Sequence, residues 1–151
     1  MRKYMEIALD IAKEGMKTGE VPVGAIIVKN NEIISMAHNE VETSTNPIAH
    51  AEVLAIQRAC EILGNWRLTD CTLYVTLEPC IMCMGAILNS RISKLVYGAG
   101  DNKLGAVESQ SDFIHNPLFR NIEIYPGILE EECVDLMQEF FQKIRWSGGQ
   151  L

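Results

Sequence analysis

This 151-residue chain contains no apolar stretch near the roughly 20 residues that a bilayer-spanning helix needs, so a helical membrane protein is excluded. No apolar segment or cleavage site follows Arg2 and Lys3, and a secretory signal is not expected. Linkers, repeats and low-complexity tracts are missing as well. The expectation is therefore one domain spanning residues 1–151, long enough to bury a real core. Positive charge is scarce: 13 Lys and Arg stand against 20 Asp and Glu, for a net charge of −7. A nucleic-acid binder ordinarily shows a basic footprint, and this composition does not advertise one. The imbalance is uneven, however. Arg67, Arg91, Lys94, Lys103 and Arg120 lie in the nearly balanced segment 67–127, so a local positive rim can coexist with an acidic body. Cysteines number five, two of them in a metal-ligand pattern, which points to a reducing compartment, most simply the cytoplasm. Cys60, Cys71 and Cys133 fall in apolar patterns and read as small buried hydrophobes.

What is present alternates between helix and strand. Met5, Ala8, Leu9, Ala12 and Met16 form a helical stripe that closes near Gly15 and Gly19. Segments 22–29 and 32–38 read as strands joined by a tight Asn30-Asn31 turn. A helix is expected over 50–63, with Val53, Leu54, Ile56, Ala59 and Ile62 apolar on most sides, as suits a helix covering a sheet. A buried strand at 72–77, a helix at 80–89 and a strand at 93–97 follow. Residues 98–120 lack a clear pattern and read as a loop with a short helix. A fifth strand at 122–125 and an amphipathic helix from Leu129 to Ile144 close the chain. The fold class is α/β, a mixed five-stranded sheet with helices on both faces.

Two short motifs carry the chemistry. Residues 50–52 read His-Ala-Glu and residues 79–83 read Pro-Cys-Ile-Met-Cys. Together they match the H-x-E…P-C-x-x-C signature of zinc-dependent base deaminases. His50, Cys80 and Cys83 are ligand types that suit Zn²⁺, and three protein ligands leave a fourth position for water. Zinc lowers the pKa of such a water to near neutrality, and Glu52, two residues from a ligand, can carry its protons. Pro79 suits the first turn of a helix, on which Cys80 and Cys83 would stand at i and i+3 on one face. His50 and Glu52 point roughly 200° apart on a helix, so that pair works only if its helix meets the metal end-on with His50 at its start. Alone, either motif is weak. A lone Cys-x-x-Cys can be a redox pair or half of a structural zinc site, and a lone His-x-Glu means almost nothing. A structural site would need a fourth ligand, for which Cys71 and His115 are the only loose candidates.

At these residues the chain resembles the bacterial tRNA-specific adenosine deaminase (TadA) family of the cytidine deaminase superfamily. The resemblance spans roughly 3–146. It rests on Gly19-Glu20-Val21-Pro22-Val23-Gly24-Ala25, Ala37-His38-Asn39, Ala49-His50-Ala51-Glu52, Trp66-Arg67-Leu68, the run Leu73–Cys80, and Gly98-Ala99 with Asp101. It implies a three-layer αβα sandwich, a homodimer, one Zn²⁺ per subunit held by His50, Cys80 and Cys83, and Glu52 as proton shuttle. The implied reaction is hydrolysis of adenosine to inosine in a tRNA anticodon loop. Asn39 would contact the target base or its ribose, the amides of Ala51 and Cys80 would line the pocket, and Asp101 would sit beside neighbouring nucleotides. Outside the family match, Asn39 reads as a strand-end turn residue and Asp101 as a loop-capping carboxylate. His38 reads as structural, and His115 either as a substrate contact or as a helix cap. The chain departs from the usual family pattern at Leu104, at 107–112, at Phe119-Arg120-Asn121, and in a tail without the Lys/Arg-rich run many members carry. The alternatives are a deaminase of a free nucleobase or nucleotide such as guanine or cytosine, and a silent zinc fold that binds RNA or partners. Glu52 speaks against the last, because a structural site has no use for that carboxylate.

Overall fold

The computed structural model describes residues 1–146. The tail expected to lack a basic run lies mostly outside the described residues, beyond Trp146. Five strands form one mixed sheet: β1 (Gly24–Lys29), β2 (Glu32–His38), β3 (Cys71–Leu77), β4 (Lys94–Ala99) and β5 (Glu123–Tyr125), in the order β2-β1-β3-β4-β5. β1 runs antiparallel to β2 and β3, whereas β3, β4 and β5 are parallel. The β1–β2 turn falls at Asn30-Asn31, both with positive φ, the backbone that a two-residue hairpin demands and that Asn tolerates.

Period-two alternation in the central strands builds two cores. Ala25, Ile27, Leu73, Val75, Leu95 and Tyr97 face one layer, formed by α3 (Ala51–Leu63) and α4 (Ile81–Asn89). Ile26, Val28, Tyr74 and Val96 face the other, formed by α1 (Arg2–Met16) and α5 (Glu130–Trp146). This is the expected αβα sandwich. The α1 stripe buries Met5, Ala8, Leu9 and Ala12, while Met16 is half-buried. Gly24 shows how close α1 lies to β1: a Cβ there would stand 2.0 Å from the Ala8 carbonyl oxygen and 2.8 Å from the Ala12 amide. Backbone cannot yield as a flexible side chain does. Gly24→Ala is therefore expected to cost about 3 kcal/mol or more in denaturant unfolding, and an unchanged midpoint would refute the close approach.

Three differences from the sequence reading stand out. A short helix, α2 (Val41–Ser44), fills the segment after β2 and leaves no periodic signal because it spans only four residues. Of the 98–120 segment, Gly98 and Ala99 extend β4 and the rest forms a series of turns with two 3₁₀ turns, Phe113–His115 and Pro117–Phe119, braced by stacked Phe113 and Phe119 rings at 4.9 Å. Ile62, expected inside, is 64% exposed near the end of α3. Cys71 and Cys133 are buried as expected, whereas Cys60 is half-buried.

Candidate active site

The N-termini of α3 and α4 meet at the end of β3. His50 is the N-cap of α3, with extended backbone at φ −73° and ψ 149°, so it stands at the very start of its helix. Glu52 follows in the first turn and is only 4% exposed. The end-on geometry required of the His-x-Glu pair is therefore present. The second motif is shifted by one position from expectation. Helix α4 begins at Ile81, and Cys80 is its N-cap with φ −77° and ψ 176°. Pro79 and Cys80 thus continue the extended backbone from β3, held by an antiparallel bridge from Cys80 to Gly105. Only Cys83 sits on the helix proper, and the two sulfurs nonetheless come within 4.8 Å of each other.

His50 Nδ1 lies 3.6 Å from Cys80 Sγ and 3.6 Å from Cys83 Sγ. All three ligand atoms fall within 4.8 Å of one another, and neither Cys71 nor His115 belongs to the group. A tetrahedral zinc with bonds of about 2.3 Å to sulfur and about 2.0–2.1 Å to nitrogen holds such atoms about 3.6 Å apart. The donor set and its spacing fit that ion, with three protein ligands and no fourth among the described residues. The electrostatics favour a cation as well. A hydrogen bond from Cys83 pulls the Cys80 thiol down to about 4 against the effect of burial, with help from His50. The same bond, together with burial, pushes the Cys83 thiol up. The bond to Cys80 raises the His50 pKa, and burial raises that of Glu52.

Asn39 Oδ1 accepts the Ala51 N–H at 2.8 Å, tying the end of β2 to the start of α3. The Ala51 amide expected to line the pocket is thus already engaged by Asn39, and Ala51 itself is fully buried. Asn39 Nδ2 makes no hydrogen bond among the described residues and keeps both protons for another acceptor. Asp101 caps its own loop: Oδ1 accepts from Lys103 N at 2.9 Å and Leu104 N at 3.2 Å. His38 Nδ1 lies 2.8 Å from the Asn39 carbonyl oxygen, and its ring covers Gly15, the structural role expected of it. His115 pairs with Asp112 on an exposed 3₁₀ turn. The Glu108 carboxylate accepts the Tyr97 hydroxyl, so Glu108 and Asp112 each have a partner.

The sequence reading gave no role to two carboxylates that organise this region. Glu20, 1% exposed, accepts the amides of Glu42 at 3.1 Å and Thr43 at 2.7 Å, which anchors the segment leading to His50. Burial pushes its pKa up, but those bonds outweigh burial and leave it lowered. Glu78, 2% exposed, holds the loop after β4 in the same manner. The only signal in the sequence is a charged residue bordering an apolar run, Val21-Pro22-Val23 after Glu20 and Leu73–Leu77 before Glu78.

The MafB19-like deaminase family model matches residues 1–145. A tRNA-specific adenosine deaminase of Bacillus subtilis (strain 168) is 48% identical over 143 residues, covering 94% of this chain and 89% of that protein. A structure from a study of A-to-I editing by tRNA:A34 deaminases at the wobble position superposes with a TM-score of 0.86 at 41% identity, covering 90% of this chain and 99% of that one. A guanine deaminase structure from Bacillus subtilis aligns at 38% identity with a TM-score of 0.64, covering 95% of this chain and 92% of that one.

Proposed function

Because this chain belongs to the tRNA-specific adenosine deaminase family, we propose that it hydrolyses the adenosine at the wobble position of a tRNA anticodon loop to inosine, releasing ammonia. The observation that carries this reading is the pairing of a three-ligand metal group with a buried carboxylate two residues from one ligand. His50, Cys80 and Cys83 would hold one Zn²⁺ per subunit. When bound, that ion supplies Lewis-acid activation, bringing the deprotonation of a water near neutral pH. A Glu52 carboxylate oxygen takes one proton from the attacking water and delivers it to N1 as the water oxygen bonds to C6; it then takes the second proton from the new C6 hydroxyl and passes it to the amino group, which leaves C6 as ammonia. Its burial excludes bulk water from that transfer. The free Asn39 amide NH₂ donates to the base or its ribose, and the start of α4 at Cys80 borders the pocket beside Ala51. Asp101 lies beside the flanking nucleotides. Anticodon bases are already unpaired, so bringing one into the cleft costs little.

We assign the chain to a single deaminase domain over 1–151 that works as a homodimer in the cytoplasm. Exposed Ile48, Ile62 and Ile81, the first and last close to zinc ligands in sequence, supply apolar surface suited to a second copy. The described residues contain no helix long and apolar enough to cross a membrane. The likeness to a guanine deaminase favours a free base as the rival substrate. Salt separates the two. For an RNA substrate kcat/KM should fall steeply, by about tenfold or more between 50 and 200 mM salt, since phosphate contacts release counterions. A flat salt profile on an anticodon stem-loop would contradict the RNA reading.

A further inference from the structure

The loop after β4 has no regular secondary structure, yet it is tied to one buried carboxylate. Glu78 Oε2 accepts the amides of three consecutive residues, Val107 at 3.0 Å, Glu108 at 3.1 Å and Ser109 at 3.1 Å. Glu78 Oε1 accepts the Asp101 amide at 3.2 Å and the Ser109 hydroxyl. Three successive N–H groups converging on one oxygen form a backbone nest of the kind that binds anions, here filled by the chain's own side chain. The fit leaves no slack. A Cβ on Gly105 would lie 2.5 Å from the Glu78 carboxylate and 2.5 Å from the Asp101 carbonyl oxygen. The loop also reaches the metal-ligand segment directly, since the Ala106 amide donates to the Pro79 carbonyl at 2.9 Å and Gly105 bridges to Cys80.

We infer that Glu78 is a positioning residue: its carboxylate is the template that folds loop 101–109 back over Pro79-Cys80 and fixes Asp101 at the wall of the substrate cleft. The kinetic part of this inference rests on the function proposed above; the structural part does not. Glutamine is not equivalent to glutamate here. Every group facing the carboxylate is a donor, so a glutamine amide in its place must present its own N–H groups to donors at one end. With the amide oxygen in the nest, the NH₂ faces the Ser109 hydroxyl, which can turn and accept, and the Asp101 N–H, which cannot. Glu78→Gln should therefore release Asp101 while amides 107–109 stay held.

The test is amide hydrogen exchange on the zinc-loaded protein and its Glu78→Gln and Ser109→Ala variants, with steady-state kinetics on an anticodon stem-loop. In Glu78→Gln the Asp101 amide should exchange faster by about tenfold or more, the scale of one charge-assisted hydrogen bond. Zinc content should remain at the wild-type level. KM for the stem-loop should rise by about tenfold while kcat changes little, as expected when positioning rather than chemistry is lost. Ser109→Ala removes one bond and leaves the carboxylate, so it should show the same pattern, smaller, and it serves if Glu78→Gln fails to fold. Unchanged exchange at Asp101 would overturn the template role. Faster exchange with unchanged KM would overturn the placement of the loop at the substrate. If the wild type turns over a free base and not RNA, the exchange result still decides the template role.

Discussion

Glu52→Gln should lose about 10³–10⁴-fold in kcat, toward the upper end of what a positioned general acid–base supplies, while keeping fold and metal. Glu52 stands in the first turn of α3, almost fully buried, two residues after the N-cap His50. Glutamine keeps the volume and burial of the side chain but cannot take a proton from water or hand one to the base. His50, Cys80 and Cys83 are untouched, so the metal content should match the wild type. Ammonia release and metal analysis on one preparation check both halves. Turnover within about tenfold of wild type would remove Glu52 from the proton path, since no general base is worth so little.

Cys80→Ser should abolish activity by the other route, through loss of the metal. Cys80 is the N-cap of α4, and serine is a better cap than cysteine, so the helix start should survive the change. What disappears is a sulfur 3.6 Å from His50 Nδ1, at a position where the thiol is already pulled down to about 4. A hydroxyl stays protonated at neutral pH and is a poor zinc ligand. Metal content should fall from about one per chain to near zero, and thermal stability should fall with it because binding energy is folding energy. Chelator treatment of the wild type should give the same state, and zinc should restore only the wild type. Full zinc occupancy in Cys80→Ser would exclude Cys80 as a ligand.

The two motifs made the metal group legible in the sequence alone, because metal chemistry restricts residue type and spacing together. The strands were legible for a similar reason. Ile26 and Ile27 face opposite cores, and the alternation that puts them there is local to the chain. The hairpin at Asn30-Asn31 was legible because few residues tolerate two successive positive φ angles. The 98–120 region was not. Its shape comes from hydrogen bonds between Glu78 and amides 23–31 residues away, and backbone amides carry no sequence signature. The cap position of Cys80 was missed for the same reason, since a bridge to Gly105 holds it out of the helix. Asn39 shows a third kind of gap. Its carbonyl end secures Ala51 and its NH₂ end is left over, so the structural role does not use up the hydrogen-bonding capacity of the side chain.

The departures from the family pattern at Leu104 and 107–112 can be placed. Leu104 is exposed at the tip of the Asp101 turn, and 107–109 supply the nest around Glu78 through backbone rather than side-chain atoms. A changed side chain at 107 or 108 therefore leaves those amide bonds available. Glu108 accepts from the Tyr97 hydroxyl and Asp112 lies against His115, so both carboxylates of this more acidic stretch have local hydrogen-bond partners.

The central claim, a base deaminase acting on RNA, is tested most directly by incubating the zinc-loaded protein with an anticodon stem-loop carrying adenosine at the wobble position. Free guanine, cytosine and adenine are run beside it, and inosine and ammonia are measured. On that claim inosine should appear at that one position with an equal yield of ammonia, and the free bases should release none. Ammonia from a free base, with the stem-loop unchanged, would contradict it.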